Sequence, residues 1–512
     1  MRLAGTMPPR SPRSRRWLGA GFLVMVAGAC PADEPRPPSP PDPLSPPGTV
    51  RVVYPDEPAT LNPVTEPSPA ALDLLRPLLP SFFRITPDLG YELSLLAEDP
   101  EVVPAGDRTE VRFRIREDAA WSDGMPVTVR DVAFTWRAMA EVDAWNPMGF
   151  DRLLDVVADE PKSGRLVLNG EWPGWRDLFS AGRFVLPSHV GDPASVARWN
   201  QGPPVTAGPY RLQGWTPGRS VALVADPTHW AGPPAVERLE VLFVPDPTTA
   251  LQLLDRGQVD VVTPMAGYSW ERRLAEVADG GTSTATGPDV VSLAFNVASV
   301  ADIDLRRRIA HAVDRARFLE VVLSDEAEPA DGVLAPEQPG AEAAWAGYGT
   351  SPSAGEPGTD ELDLVHQRTE LPDLVARYVQ AELERAAVDA ELVTLEHDVL
   401  YRSFLPARRF DLAIVEVRSG HWPEVWRWIE MPGAGPSLTG LSDPEVVDLA
   451  VRAADGSEEA LRKAQERLAD LAVVLPLYRP RVTMGWRAGI SGPAANPTVE
   501  GPLWNVEAWA AS

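Results

Sequence analysis

Cysteine is nearly absent. Cys30 is the single one in 512 residues, so no disulfide can form within one molecule, and stability in an oxidising compartment must come from burial. Histidine is scarce too. Six are present (His189, His229, His311, His366, His397, His421), scattered without the spacing of metal ligands, so no metal or other cofactor is expected. The sequence has no Gly-x-Ser-x-Gly elbow, no Walker loop and no His-Glu-x-x-His, and it is read as a non-enzyme. Basic residues are outnumbered, 47 Lys and Arg against 73 Asp and Glu, for a net charge of −26. That balance excludes nucleic acid, whose phosphates require clustered cations, and adsorption to anionic lipid. Such acidity favours solubility and says little about a ligand.

What is present at the start is a processing signal. Residues 1–16 carry Arg2, Arg10, Arg13, Arg15 and Arg16 and no acid, and Trp17 to Ala29 is uncharged and mostly apolar. A basic segment followed by a short apolar one reads as a secretory signal. The run falls short of the roughly 20 apolar residues that a mature spanning helix needs. It ends in Ala27-Gly28-Ala29-Cys30, which resembles the bacterial lipobox, where the cysteine is lipidated and becomes the new N-terminus; the alternative is an ordinary signal peptide with an incidental cysteine. Ser14-Arg15-Arg16-Trp17-Leu18 also resembles a twin-arginine signal, so two export routes stand open. Loss of the five arginines takes the mature charge from −26 to −31. With Cys30 lipidated, thiol chemistry is excluded. Residues 31–47 hold nine prolines in seventeen positions, an extended polyproline II tether that at roughly 3.1 Å per residue reaches about 50 Å.

At this length the rest exceeds a single core. Glu110 to Arg116 alternates strictly, as a strand with one charged face does. Trp121-Ser122-Asp123-Gly124 reads as a turn. Thr128 reads as an N-cap with Asp131 as its partner, ahead of a stripe of Val132, Trp136 and Met139. Leu239 to Val244, then Asp246-Pro247 opening a helix with Leu251 and Leu254 inward, then Gly257 and a strand from Val259 to Val262, make a βαβ unit. A second unit runs from Asp373 to Val417: a helix with Leu374, Tyr378 and Leu383, a strand at Glu391 to Leu395, a short helix, and a strand at Leu412 to Val417. Residues 326–358, rich in Pro, Gly, Ala and acids, read as a long surface loop.

Phe113-Arg114-Ile115-Arg116-Glu117-Asp118-Ala119-Ala120-Trp121-Ser122-Asp123-Gly124-Met125-Pro126-Val127-Thr128, followed by Asp131-Val132-Ala133-Phe134, resembles the signature of the oligopeptide- and dipeptide-binding family of extracellular solute-binding proteins, family 5, which serve ABC importers. Thr60-Leu61-Asn62-Pro63, Leu186-Pro187-Ser188-His189, Ala207-Gly208-Pro209-Tyr210, Asp255-Arg256-Gly257-Gln258-Val259-Asp260, Leu293-Ala294-Phe295-Asn296, the helix from Leu305 to Arg315 and Val474-Leu475-Pro476-Leu477-Tyr478 fall in the family's order. The resemblance implies an α/β, two-lobed periplasmic-binding-protein-like fold (type II) with a hinge and an extra subdomain in the first lobe. Lobe I would take residues 48–90, 200–288 and 480–512, the extra subdomain 91–199, and lobe II 289–479. Ligand would sit between the lobes, where closure buries it.

The chain departs from the peptide binders of that family at one place. Their Trp-x-x-Asp-Tyr supplies an aspartate to the peptide's free amine. Here Val417 stands at the tryptophan and Gly420 at the aspartate; Glu416 or Glu424 could act from another angle. Arg418 is the newcomer, and a cation there suits a carboxylate or other anion. The candidate ligand contacts are Arg418, Ser419, His421 and Trp422, with Asn296 and Tyr54. Against this stands a reading in which Arg418 belongs to a surface ion pair and the tryptophans to a core, since Trp422, Val425, Trp426 and Ile429 fall at helical spacing. The function expected is capture of a small ligand, peptide-like or another solute, and its delivery to ABC permease and ATPase subunits. The alternative is a sensing or signalling module without transport. The molecule is expected as a monomer, exported and held by the lipid on Cys30 at the outer face of the cytoplasmic membrane.

Overall fold

The structure, a computed structural model, describes residues 48–66, 68–142, 149–267, 269–324, 326–349, 361–396, 399–417, 428–429 and 437–512. No helix among them is long and apolar enough to cross a membrane.

The first strand, β1 (Thr49–Tyr54), buries valines on both faces because both are covered along its second half. Val50 and Val52 enter one core and Val53 another. Helix α1 (Pro69–Leu75) follows; Ser68 caps it, accepting from the Ala71 amide at 3.3 Å. A short hairpin, β2 (Phe83–Ile85) and β3 (Tyr91–Leu93), leads into a four-stranded antiparallel sheet. Its members are β4 (Glu101–Ala105), β5 (Arg108–Arg114), β6 (Leu153–Ala158) and β7 (Ser163–Asn169), in the order β4-β5-β7-β6. The alternation expected from Glu110 to Arg116 is there: Val111 and Phe113 are buried, and Arg112 and Arg114 are exposed. The strand ends two residues early, Ile115 making an isolated bridge to Leu96 while Arg116 turns out over the Trp230 ring.

Helix α2 (Val129–Glu141) packs on this sheet, and its start explains two of the sequence motifs together. The Asp131 carboxylate, 2 % exposed, accepts from the Thr128 amide at 2.7 Å and from the amide and hydroxyl of Ser188 at 2.8 and 2.7 Å. Thr135 accepts in turn from the Leu186 amide at 2.8 Å. The capping box therefore also fastens the Leu186-Pro187-Ser188-His189 segment to the helix. The turn at Trp121 closes with the Gly124 amide on the Trp121 carbonyl, Gly124 at φ +88, and the indole is buried.

The chain then adds β8 (Tyr210–Thr216), β9 (Ser220–Ala225), β10 (Arg238–Phe243), helix α3 (Pro247–Asp255), β11 (Val261–Val262), helix α4 (Trp270–Val277) and β12 (Gly281–Thr286). Asp246 caps α3, accepting from the Thr249 amide at 2.7 Å, and Gly257 stands just past its end at φ +68, as its position in the sequence requires. Strands β10 and β11 flank β1 in parallel register, Val52 beside both Val241 and Val261.

The chain goes on through β13 (Val290–Phe295), α5 (Ile303–Ala312), α6 (Arg315–Leu323), β14 (Ala327–Pro329), β15 (Leu362–Gln367), α7 (Glu370–Arg385), β16 (Ala390–Leu395), β17 (Leu412–Val417), α8 (Pro444–Ala454), α9 (Glu458–Asp470) and β18 (Val474–Trp486), with a last two-stranded pair, Ile490–Ser491 and Ala510–Ala511. Residues from Val290 to Tyr478 form one apolar cluster of their own; the four-stranded sheet shares its core with β1. The stretch read as a long surface loop is different in its described part, 326–349. Trp345 is fully buried, with its indole NH on the Val474 carbonyl at 2.7 Å, and Val333, Leu334 and Ala335 are buried. Irregular backbone can be buried here because arginines satisfy it: Arg315 donates to the carbonyls of Ala330, Trp345 and Tyr348.

Strand β18 is shared. Val474 to Tyr478 pairs with β13, Tyr478 to Pro480 with β14, and Arg481 to Trp486 with β12. The chain passes between the two sheets along β18 and again between Thr286 and Val290. Arg479, 3 % exposed, stands at the first crossing and reaches the second: it donates to the carbonyls of Pro288 at 3.1 Å and Gly332 at 2.9 Å, and to that of Leu334. Burial lowers its pKa to about 10, so it stays charged at neutral pH. Nearby, the Glu326 carboxylate accepts from the first amides of α4, Glu271 at 3.3 Å and Arg272 at 3.1 Å, and Ala335 packs among Ile85, Leu89 and Ala181.

Two substitutions test these fastenings. Asp131→Ala leaves several buried donors unmet and is expected to destabilise by about 2–4 kcal/mol, read as a lower urea midpoint. Arg479→Lys keeps the charge but cannot fork to carbonyls on both sides; a loss of about 2 kcal/mol or more is expected in the same assay. A midpoint unchanged by Arg479→Lys would show that charge alone suffices there.

Candidate functional site

Strand direction locates the site. β1 and β11 run parallel, and β11 runs antiparallel to β18 with Val262 beside Gly485, so the C-terminal end of β1 points toward the crossing at Pro480. In the other sheet β15, β16 and β17 are parallel, and Val417 at the end of β17 lies beside Val290 at the start of β13. The C-terminal ends of both parallel sets thus meet at the crossing. Ligands of open α/β sheets bind outside such ends, and clefts between lobes are common ligand sites.

Tyr54 is the last residue of β1 and stands at this junction. It is 5 % exposed, and its hydroxyl donates to Asp73 of α1 at 2.5 Å. Asp73 is buried and backed by Gly501, whose Cα approaches so closely that a Cβ would lie 2.1 Å from the carboxylate. The one acid in the apolar helix Pro69–Leu75 is the sequence signal that could have announced this partner. On the other side Glu416 is exposed near the end of β17, and its amide donates to the Tyr401 hydroxyl at 3.2 Å. Tyr478 is buried between the sheets' junction and Phe318, and burial raises its pKa.

Arg418, Ser419, His421 and Trp422 follow directly on β17 but lie outside the described residues, as does Cys30. Asn296 is elsewhere. It follows directly on β13 at the edge of the sheet away from the crossing, about 20 Å of strand from Val290. Its amide nitrogen donates to the carbonyls of Phe410 at 2.9 Å and Arg408 at 3.2 Å, and its oxygen accepts from the Ala298 amide at 3.2 Å. Asn296 clamps the loop before β17, and the structure does not bring it together with Tyr54. Arg479 went unnoticed in the sequence, although an arginine directly after the apolar run Val474–Tyr478 demands buried acceptors.

Two hollows lie among the described residues. One, of about 30 Å³, lies among Arg76, Ser81, Arg84, His229 and Trp230, with room for a water or two. The other is an open depression on β8 to β10. No group of three or more His, Cys, Asp or Glu among the described residues could hold a metal.

The sequence profile of the bacterial extracellular solute-binding proteins, family 5 (middle part), matches residues 94–427. The chain belongs to this family. The probable monoacyl phosphatidylinositol tetramannoside-binding protein LpqW of Mycobacterium tuberculosis is 27% identical over 266 residues, which is 48% of this chain and 40% of that protein. The chain thus spans less than half the length of that curated relative. Among solved structures, the periplasmic EDTA-binding protein EppA superposes with a TM-score of 0.81 at 22% identity, covering 91% of this chain and 96% of EppA. The oligopeptide-binding protein AppA of Bacillus subtilis, in complex with a nonapeptide, gives 0.76 at 17% identity over 91% and 99%. The fold is that of the two-lobed family 5 binding proteins.

His229 gives a pH test of the small hollow. Burial lowers its pKa from 6.5 to about 4. Between these values the unfolded chain binds a proton that the folded chain refuses, so stability falls as pH drops from 6.5 toward 4. His229→Gln is expected to flatten that part of the curve of thermal midpoint against pH.

Proposed function

We propose that this chain is a lipid-anchored substrate-binding protein that captures a small solute between its lobes and delivers it to the permease and ATPase subunits of an ABC importer. The observation that carries the reading is the meeting of both sets of strand ends at the crossing of β12–β13 and β18, in a chain of family 5. Two lobes joined there can close on a ligand and exclude water. The division into lobe I (48–90, 200–288, 480–512), extra subdomain (91–199) and lobe II (289–479) fits the apolar clusters, with the subdomain fused to lobe I through a common core. Cys30 would carry the lipid on the outer face of the cytoplasmic membrane, and residues 31–47 would hold the monomer off its surface.

The ligand is a small solute other than a free-amine peptide. Gly420 stands where the peptide binders of the family keep an aspartate, and Arg418, with Ser419, His421 and Trp422, suits an anionic group. The ligands named for relatives extend from EDTA to a nonapeptide, so membership of the family leaves the ligand to these residues.

Titration with tri-alanine, followed by tryptophan fluorescence, is expected to give no saturable change. Native mass spectrometry of protein purified without denaturant is expected to find a small acidic solute, lost in Arg418→Ala. Micromolar binding of tri-alanine would overturn the non-peptide reading.

A further inference from the structure

The lobes also touch where no crossing strand joins them. Arg152, immediately before β6 in the extra subdomain, donates from Nη1 to the Asp455 carboxylate at 3.2 Å. Asp455 closes the C-terminus of α8 in the other lobe, and Gly456 follows at φ +99. Gly456 lies so close to Pro173 of the subdomain that a Cβ would come within 2.9 Å of the Pro173 ring. The subdomain side of this contact is built. The Trp172 ring is wedged between Gly149 and Gly174, where added Cβ atoms would meet it at 2.1 and 2.7 Å. The Arg152 guanidinium lies 5.9 Å from the centre of that ring.

Topology puts this contact on the rim of the cleft. Helix α9 starts at Glu458 and, at 1.5 Å per residue, runs about 20 Å before β18 returns from Val474 toward the crossing. The α8–α9 turn is therefore level with the cleft-facing end of its sheet. The partners, 303 residues apart in sequence, belong to segments that can separate only if the lobes open.

We propose that Arg152 and Pro173 of the extra subdomain and Asp455 and Gly456 of the α8–α9 turn form a clasp that closes the cleft at its rim. The hinge fixes one side of the cleft and the clasp fastens another. The extra subdomain then serves as the surface against which the second lobe shuts. The side chains are partly exposed, 28% for Arg152 and 59% for Asp455, so the ion pair is weak by itself. A weak pair suits a contact that must break on each opening. The proposal rests on closure of the two lobes and not on the identity of the ligand.

Electron–electron distance measurements test it. Leu154 and Val451 are exposed on either side of the clasp, and Leu154→Cys with Val451→Cys, in the full chain carrying Cys30→Ser, accepts two spin labels. The parent should show a short-distance population. Arg152→Glu sets two carboxylates face to face and should shift the ratio of short to long distances about two- to five-fold toward long, with an unchanged thermal midpoint. Arg152→Glu combined with Asp455→Arg should restore the parent ratio. A ratio unmoved by Arg152→Glu, or one that the reversed pair fails to restore, would overturn the clasp. Either result leaves tri-alanine binding, and so the ligand assignment, to be judged separately.

Discussion

Arg479 enters the junction of the two sheets with its charge intact and donates there to backbone carbonyls. A guanidinium in such a place must have acceptors on several sides or the burial would be ruinous. The acceptors belong to the crossover between β12 and β13 and to the segment around Leu334. The same cation therefore fixes the spacing of the two crossing strands and holds an irregular stretch of chain beneath them. The ends of β1 and β17, and everything proposed to bind there, take their relative position from this knot.

The fold was legible wherever local chemistry and long-range packing agreed. Leu412–Val415 is apolar because β17 is covered there on both faces, so the strand could be read directly. Asp246-Pro247 and Gly257 are capping residues whose role is set by neighbours in sequence. Asp131 was read as a local cap, which it is, but its bonds to Ser188 join segments 57 residues apart and leave no periodic trace. Residues 326–349 misled because proline, glycine and acids usually mean solvent. Trp345 and Leu334 are hidden there, and the arginines that satisfy the backbone lie elsewhere in the chain.

The site was legible in part. Tyr54 ends the first strand, and strand ends are where such sheets take ligands. Asn296 directly follows a strand, but β13 runs the opposite way to β17, so its end is the far edge. Direction within a mixed sheet is decided by pairing, which one segment of sequence does not carry. The family resemblance implied the cleft, and the proposal that the ligand is not a free-amine peptide rests on Gly420.

Strand β18 completes both sheets from late in the chain. Its partners β11, β12 and β13 lie about two hundred residues earlier, so each sheet stays unclosed, with a bare edge, through most of synthesis. Bare edges invite wrong pairing. The final pairing waits for Val474–Trp486 to be made, and the two lobes then become native together.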